Sequence, residues 1–162
     1  MSDEADIIIE DDATGDCLLV ERAVAFYLGE QRYALPIDRV QEIQQIVAFS
    51  EVPSGGLGVV GMINLRGHVI PAVDLRQLVG MSRQDYDLET PMIICRIGAH
   101  LLALVVDEVE DVLELPAGCL QAAPPMHALA SKMLGVARLD DGLVYLLDLD
   151  ALLAGIISVG GW

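Results

Sequence analysis

The chain has 162 residues, 54% of them hydrophobic, enough to bury the interior of one domain or of two small ones sharing a core. Its formal net charge of -16 argues against a phosphate backbone or an anionic membrane surface as partner, and leaves a protein or an apolar small molecule. Its apolar runs, such as Leu101–Val106 and Ala151–Val159, are far too short to span a bilayer.

Residues 1–19 read as an acidic tail. Seven acids (Asp3, Glu4, Asp6, Glu10, Asp11, Asp12, Asp16) fall in the first sixteen residues and no base precedes Arg22, so the segment is expected to be self-repelling and largely disordered, with Ile7–Ile9 able to add to a sheet edge. It has no basic region ahead of an apolar one and so does not read as a secretory signal, which gives a cytosolic reading. Val24–Leu28 is the first strand, ended by Gly29, and a polar turn leads to a second strand through Ala34 and Leu35. Val59–Leu75 reads as two strands about a tight turn at Arg66–Gly67, in which Gly67 takes a positive φ, while Gly61 starts the strand and admits a close neighbour. Asp74 caps a short helix whose Leu75, Leu78 and Val79 share a face and which Gly80 ends.

After a polar link, Ser82–Glu89, the pattern returns. Val24–Leu28 matches Ile93–Ile97, and Ala34, Leu35, Ile37, Asp38, Val40 and Ile43 match Ala103, Leu104, Val106, Asp107, Val109 and Val112 without a gap. Gly61, Leu65, Asp74, Leu75 and Leu78 match Gly135, Leu139, Asp148, Leu149 and Leu152 at a second constant offset, with Asp140 at the place of Arg66 and Asp148 as a second cap. The chain therefore reads as two related halves, about 20–81 and 86–153, each with about five short strands and one short helix, followed by a C-terminal tail, 154–162. Short strands at close spacing with Gly and Pro turns favour small barrels, and a half of this size needs the other's apolar face.

No catalytic or nucleotide-binding motif is present, and the histidines, His68, His100 and His127, are scattered, the first two in turns. The run Asp107, Glu108, Glu110, Asp111 reads as a solvated face with Val109 and Val112 turned inward, and Asp140–Asp141 as a hairpin turn. Cys17, Cys95 and Cys119 make no paired motif, so neither a metal site nor a disulfide framework is expected. Arg66 needs either water or a carboxylate; Asp140 in the corresponding place means that the fold does not demand a cation there, and Glu42 is the expected partner.

"GMINLRGHVIPAVDLRQL", "YALPIDRVQEI", "LLALVVDEVEDVLEL" and "GVARLDDGLVYLLDLDALL" together resemble the CheW-like coupling domains of bacterial chemotaxis, over about Val24 to Leu153. The resemblance implies an all-β fold of two intertwined five-stranded barrels with a shared apolar core. It implies a non-catalytic adaptor without cofactor that links methyl-accepting chemoreceptors to a CheA-type histidine kinase, in the cytoplasm at membrane receptor arrays and without direct membrane contact. One face would dock the kinase's regulatory domain, and the groove between barrels the receptor's helical tip. The partner-binding residues it implies are Val40, Glu42, Gly61, Arg66, Val109 and Val112. The acidic tail, and glycines and a tryptophan where many relatives continue a helix, depart from the family pattern. The same domain serves surface-motility and second-messenger pathways; a small-ligand sensor with a site between the barrels, and an enzyme using Asp74, His68 and Arg66, are the competing readings.

Overall fold

The structure, a computed structural model, describes residues 22–45, 50–51, 59–82, 86, 89–116, 118–126 and 129–160. The expected tail over 1–19, Cys17 and His127 lie outside these. In chain order the strands are β1 (Arg22–Leu28), β2 (Gln31–Pro36), β3 (Val40–Gln45), β4 (Ser50–Glu51), β5 (Val59–Leu65) and β6 (His68–Asp74). The helical turn α1 (Leu75–Leu78) follows, then β7 (Pro91–Ile97), β8 (His100–Val105), β9 (Glu108–Glu114), β10 (Leu120–Gln121), β11 (Met133–Leu139), β12 (Gly142–Leu147) and the helix α2 (Leu149–Gly160).

These strands form two six-stranded sheets, ordered β9–β1–β2–β12–β11–β10 and β3–β7–β8–β6–β5–β4. Replacing each strand of one order by its repeat mate in the other half gives the second order. The halves thus exchange hairpins: β1–β2 completes the sheet built by the second half, and β7–β8 completes that of the first. Register obeys the repeat as well. The parallel joins pair Ala103 with Ala72 and, at the matching place, Ala34 with Leu146. The antiparallel joins pair Val40 with Cys95 and Val109 with Phe26, with a register shift following in each. The repeat alone leads one to expect halves packed face to face; the hairpin exchange is the intertwining that the family resemblance implies.

Exchange explains why the middles of β1, β7 and β8 (Ala23–Phe26, Met92–Cys95 and Leu102–Val105) read as apolar runs and not as alternating ones: both faces of the strand are buried there. Along β7, Met92 and Ile94 enter a core private to their sheet, while Ile93, Cys95 and Ile97 enter a central core. The other sheet has its own smaller core, built on Ala23, Ala34 and Ala137. The central core draws Phe26, Leu28 and Leu35 from one sheet and Ile93, Leu102 and Leu104 from the other. Each fully buried aliphatic side chain contributes about 1.5–3 kcal/mol, so the central core is what makes two marginal halves one stable unit.

Both expected caps form. Asp74 Oδ1 accepts from Arg76 N at 2.9 Å, and Asp148 Oδ1 accepts from Ala151 N at 3.2 Å. Two expectations need correction. Helix α2 continues to Gly160, through residues expected to form a tail, because Gly155 alone is too weak a breaker to stop a proline-free apolar run. Gly61 lies inside β5, at a register shift, and not at the strand's start. Its repeat mate Gly135 sits where an added Cβ would come within 2.6 Å of the Gln121 carbonyl oxygen, so this place in the fold has no room for a side chain.

Candidate functional site

The β5–β6 hairpin closes on two residues, with Leu65 paired to His68 across them. Arg66 and Gly67 have φ of +49° and +87°, the double positive φ of a type I′ turn. Such turns prefer Asn-Gly because left-handed backbone disfavours most side chains, and asparagine, whose short amide bonds locally, tolerates it better than others. Among the described residues Arg66 is the only non-glycine with positive φ. Asn64 steadies the turn, its Oδ1 accepting from Gly67 N at 2.9 Å.

From this turn the guanidinium of Arg66 reaches Glu42 on β3, the opposite edge of the sheet. Nη1 donates to Glu42 Oε1 at 3.2 Å and Nη2 donates to Oε2. Gln44 Nε2 donates to the same Oε1 at 2.7 Å. The Arg66 side chain is nevertheless 62% exposed, so its free edge faces solvent. Hydrogen bonding from Arg66, then from Gln44, holds the Glu42 carboxyl below its ordinary pKa, so it stays charged and accepting.

The sites carried by the family resemblance separate by exposure. Val40 and Val109 are half-buried against the central core at matching places, one from each half. Ile43 and Val112, also a matched pair, are exposed at 44% and 42%. Val112 therefore does not turn inward as expected. The register shift between Val109 and Val112 changes which residues of β9 face the core, and Leu113 packs inward instead. Asp107 is not a solvated acid either. It accepts two hydrogen bonds from Arg76, at 2.7 and 2.5 Å, and one from Gly29 N at 2.6 Å. Burial pushes its carboxyl up, and the Arg76 and Gly29 hydrogen bonds outweigh that, leaving the pKa lowered. Arg76, Arg32 and Arg39 were not singled out from the sequence, though each is a cation beside apolar residues and invites the question asked of Arg66.

The enzyme reading fails on geometry. Asp74 is 1% exposed and committed to Arg76 N and to the Tyr86 hydroxyl, while Arg66 is bound to Glu42. His68 opens β6 at the exposed end of the hairpin and His100 opens β8, also exposed. Among the described residues no His, Cys, Asp and Glu group could hold a metal ion. Cys95 is a core residue whose thiol burial has pushed up to about 12, too high for chemistry near neutrality. No helix among the described residues is long and apolar enough to cross a membrane.

The family model for the CheW-like domain matches residues 22–156. The chain belongs to this family. Chemotaxis protein CheW of Klebsiella aerogenes is 33% identical over 131 residues, covering 80% of this chain and 79% of that one. Chemotaxis protein CheW of Thermotoga maritima is 27% identical over 138 residues, covering 85% and 91%. Among solved structures, the scaffolding protein TtCheW of Thermoanaerobacter tengcongensis superposes with a TM-score of 0.74 at 27% identity, covering 85% of this chain and 90% of its own. As a CheW-like chain it is a non-catalytic scaffold of chemotaxis signalling. The resemblance implies two intertwined five-stranded barrels; the chain has two intertwined β-rich subdomains, each built on a six-stranded sheet, the sixth being the two-residue strand β4 or β10.

Proposed function

We propose that this CheW-like chain couples the cytoplasmic tip of methyl-accepting chemoreceptors to the regulatory domain of a CheA-type histidine kinase. It works in the cytoplasm and is brought to membrane receptor arrays by those partners. In this reading Val40, Val109 and Val112 offer apolar contact to the receptor's helical tip, since helix-in-groove binding uses spaced apolar anchors. Arg66, oriented by Glu42, belongs to the polar part of the docking surface, and Gly61, buried within β5, serves it through the shape of that strand.

The observation that carries this reading is Arg66 itself. It sits in left-handed backbone where asparagine or glycine fits more easily, its side chain is mostly in solvent, and the other half has Asp140 in its place. A residue kept against local preference and without a packing role points to a job outside the fold. The test is capture of the purified chain by a receptor cytoplasmic fragment and by a CheA-type kinase, with kinase activity read in the three-part mixture. Binding to both, with kinase activity raised by the parent and not by Arg66→Ala, is the expected result. A chain that binds neither overturns the reading.

A further inference from the structure

Among the described residues, every ion pair joining the two repeats runs in one direction. Arg32 on β2 donates to Glu110 on β9 at 2.8 and 3.2 Å, and to Asp141 in the β11–β12 turn at 3.0 Å. Arg76 on α1 holds Asp107, and Arg39, between β2 and β3, holds Asp150 on α2. The arginine always comes from the first repeat and the acid from the second; the remaining pair, Arg66 with Glu42, lies within the first. Composition follows suit. Residues 22–81 carry five arginines and five acids, whereas 86–153 carry eleven acids and three bases, so the second repeat is short of cations.

The repeat alignment sharpens this. At the places of Arg32, Arg39 and Arg76 the second repeat has Leu101, Glu108 and Asp150. If a second repeat closed on the second repeat of another copy, Asp150 would face Asp107 and Glu108, and Glu110 and Asp141 would face Leu101 with no cation between them. Much of the apolar core discriminates less, although Phe26 and Tyr33 match the smaller Cys95 and Leu102. Leu35 and Leu104, Leu75 and Leu149, Val73 and Leu147 are matched pairs that all line the central core.

We propose that this one-way polarity is the pairing code of the fold: a first repeat closes on a second, and second-with-second closure between two copies is rejected. The hazard is real for a chain of two like repeats, because the second repeat of another copy offers many of the apolar matches that the first repeat does. Apolar matching at these places makes the repeats partly interchangeable, and setting acid against acid with no cation between them removes that freedom.

Arg39→Asp with Asp150→Arg tests this, because it keeps the pair within one chain while giving the second repeat a cation that meets Asp107 and Glu108 of another copy. The pair is among the more exposed, so the exchange is compatible with folding. Parent, this variant and Arg39→Ala with Asp150→Ala are unfolded, refolded at high concentration and sized by light scattering. The charge-exchanged variant is expected to place about fivefold more of its mass in dimers and larger species than either other chain, the factor that replacing one like-charge contact by an attractive one provides. The excess should vanish in about 1 M salt, where the screening length falls to about 3 Å. Equal dimer fractions for the charge-exchanged and the alanine variants overturn the proposal, since a merely stabilising pair predicts that. If the first variant does not fold, Arg76→Asp with Asp107→Arg creates the same mixed polarity and must give the same excess; equal fractions there overturn it too.

Discussion

Glu42 and Arg66 hold each other across the width of a sheet, Glu42 on the edge strand β3 and Arg66 in the turn that joins β5 to β6. The arginine side of the pair is open to solvent, so its contribution to folding is small. Arg66→Ala is therefore expected to melt within a few degrees of the parent and to lose kinase activation. Arg66→Asn should melt higher than Arg66→Ala, because Asn-Gly is the preferred pair for a type I′ turn, yet activate no better. Thermal melts and kinase assays on the two variants check this; a collapse of stability, with activity lost only in proportion, would make the arginine structural.

Gly67 follows at φ +87°, and an added Cβ there would touch nothing within 4 Å. Replacement is then strained by backbone conformation alone and not by crowding. Gly67→Val is expected to cost about 1–3 kcal/mol, with Gly67→Asn much milder because asparagine tolerates the left-handed region. Urea unfolding of both orders them, and a valine variant as stable as the parent refutes the turn geometry.

Asp107 links stability to pH. Its folded-state pKa lies below its unfolded value, so the carboxylate contributes stability that is present above the unfolded pKa, about 4, and is lost as pH falls through the lower folded value. Asp107→Asn is expected to cost about 1–3 kcal/mol at pH 7 by breaking a part-buried charged hydrogen-bond pair with Arg76. The gap between parent and variant should close as both are taken down to pH 3. Urea midpoints across that range measure it, and a gap independent of pH would remove Asp107 from the linkage.

Val109 and Val112 should part company when charged. Val112→Asp places a carboxylate at a site already exposed, so it is expected to leave the melting curve near the parent's and weaken receptor binding while kinase binding persists. Val109→Asp forces one against the central core and should cost about 1–3 kcal/mol, enough to take a large share of a marginal stability. Melting by circular dichroism and separate binding assays with each partner distinguish them. A folded Val112→Asp chain that binds receptor normally takes that residue out of the site.

Much of this was legible in the residues because it depends on neighbours in sequence. The repeat, the hairpin glycines, the Asp74 and Asp148 caps and the turn at Arg66–Gly67 are local, set by backbone conformation and by which side chain reaches the nearest free N–H. The expectation that Arg66 meets Glu42 came from asking what a lone cation among apolar residues requires. The residues alone show, then, that two like halves of short strands exist and where each turns.

How they join depends on contacts between strands distant in sequence. Apolar runs such as Ile93–Ile97 say that both faces are buried but not against what, and β1–β2 could have closed on its own half as well as on the other. The same limit hid Asp107, read as solvated until Arg76 was found opposite it, and Val112, whose facing is set by a register shift that no local pattern marks. Burial, register and ion pairing between distant strands are properties of the assembled sheets, because each is fixed by a partner far away in the chain. Periodicity reports only that a side chain needs a partner.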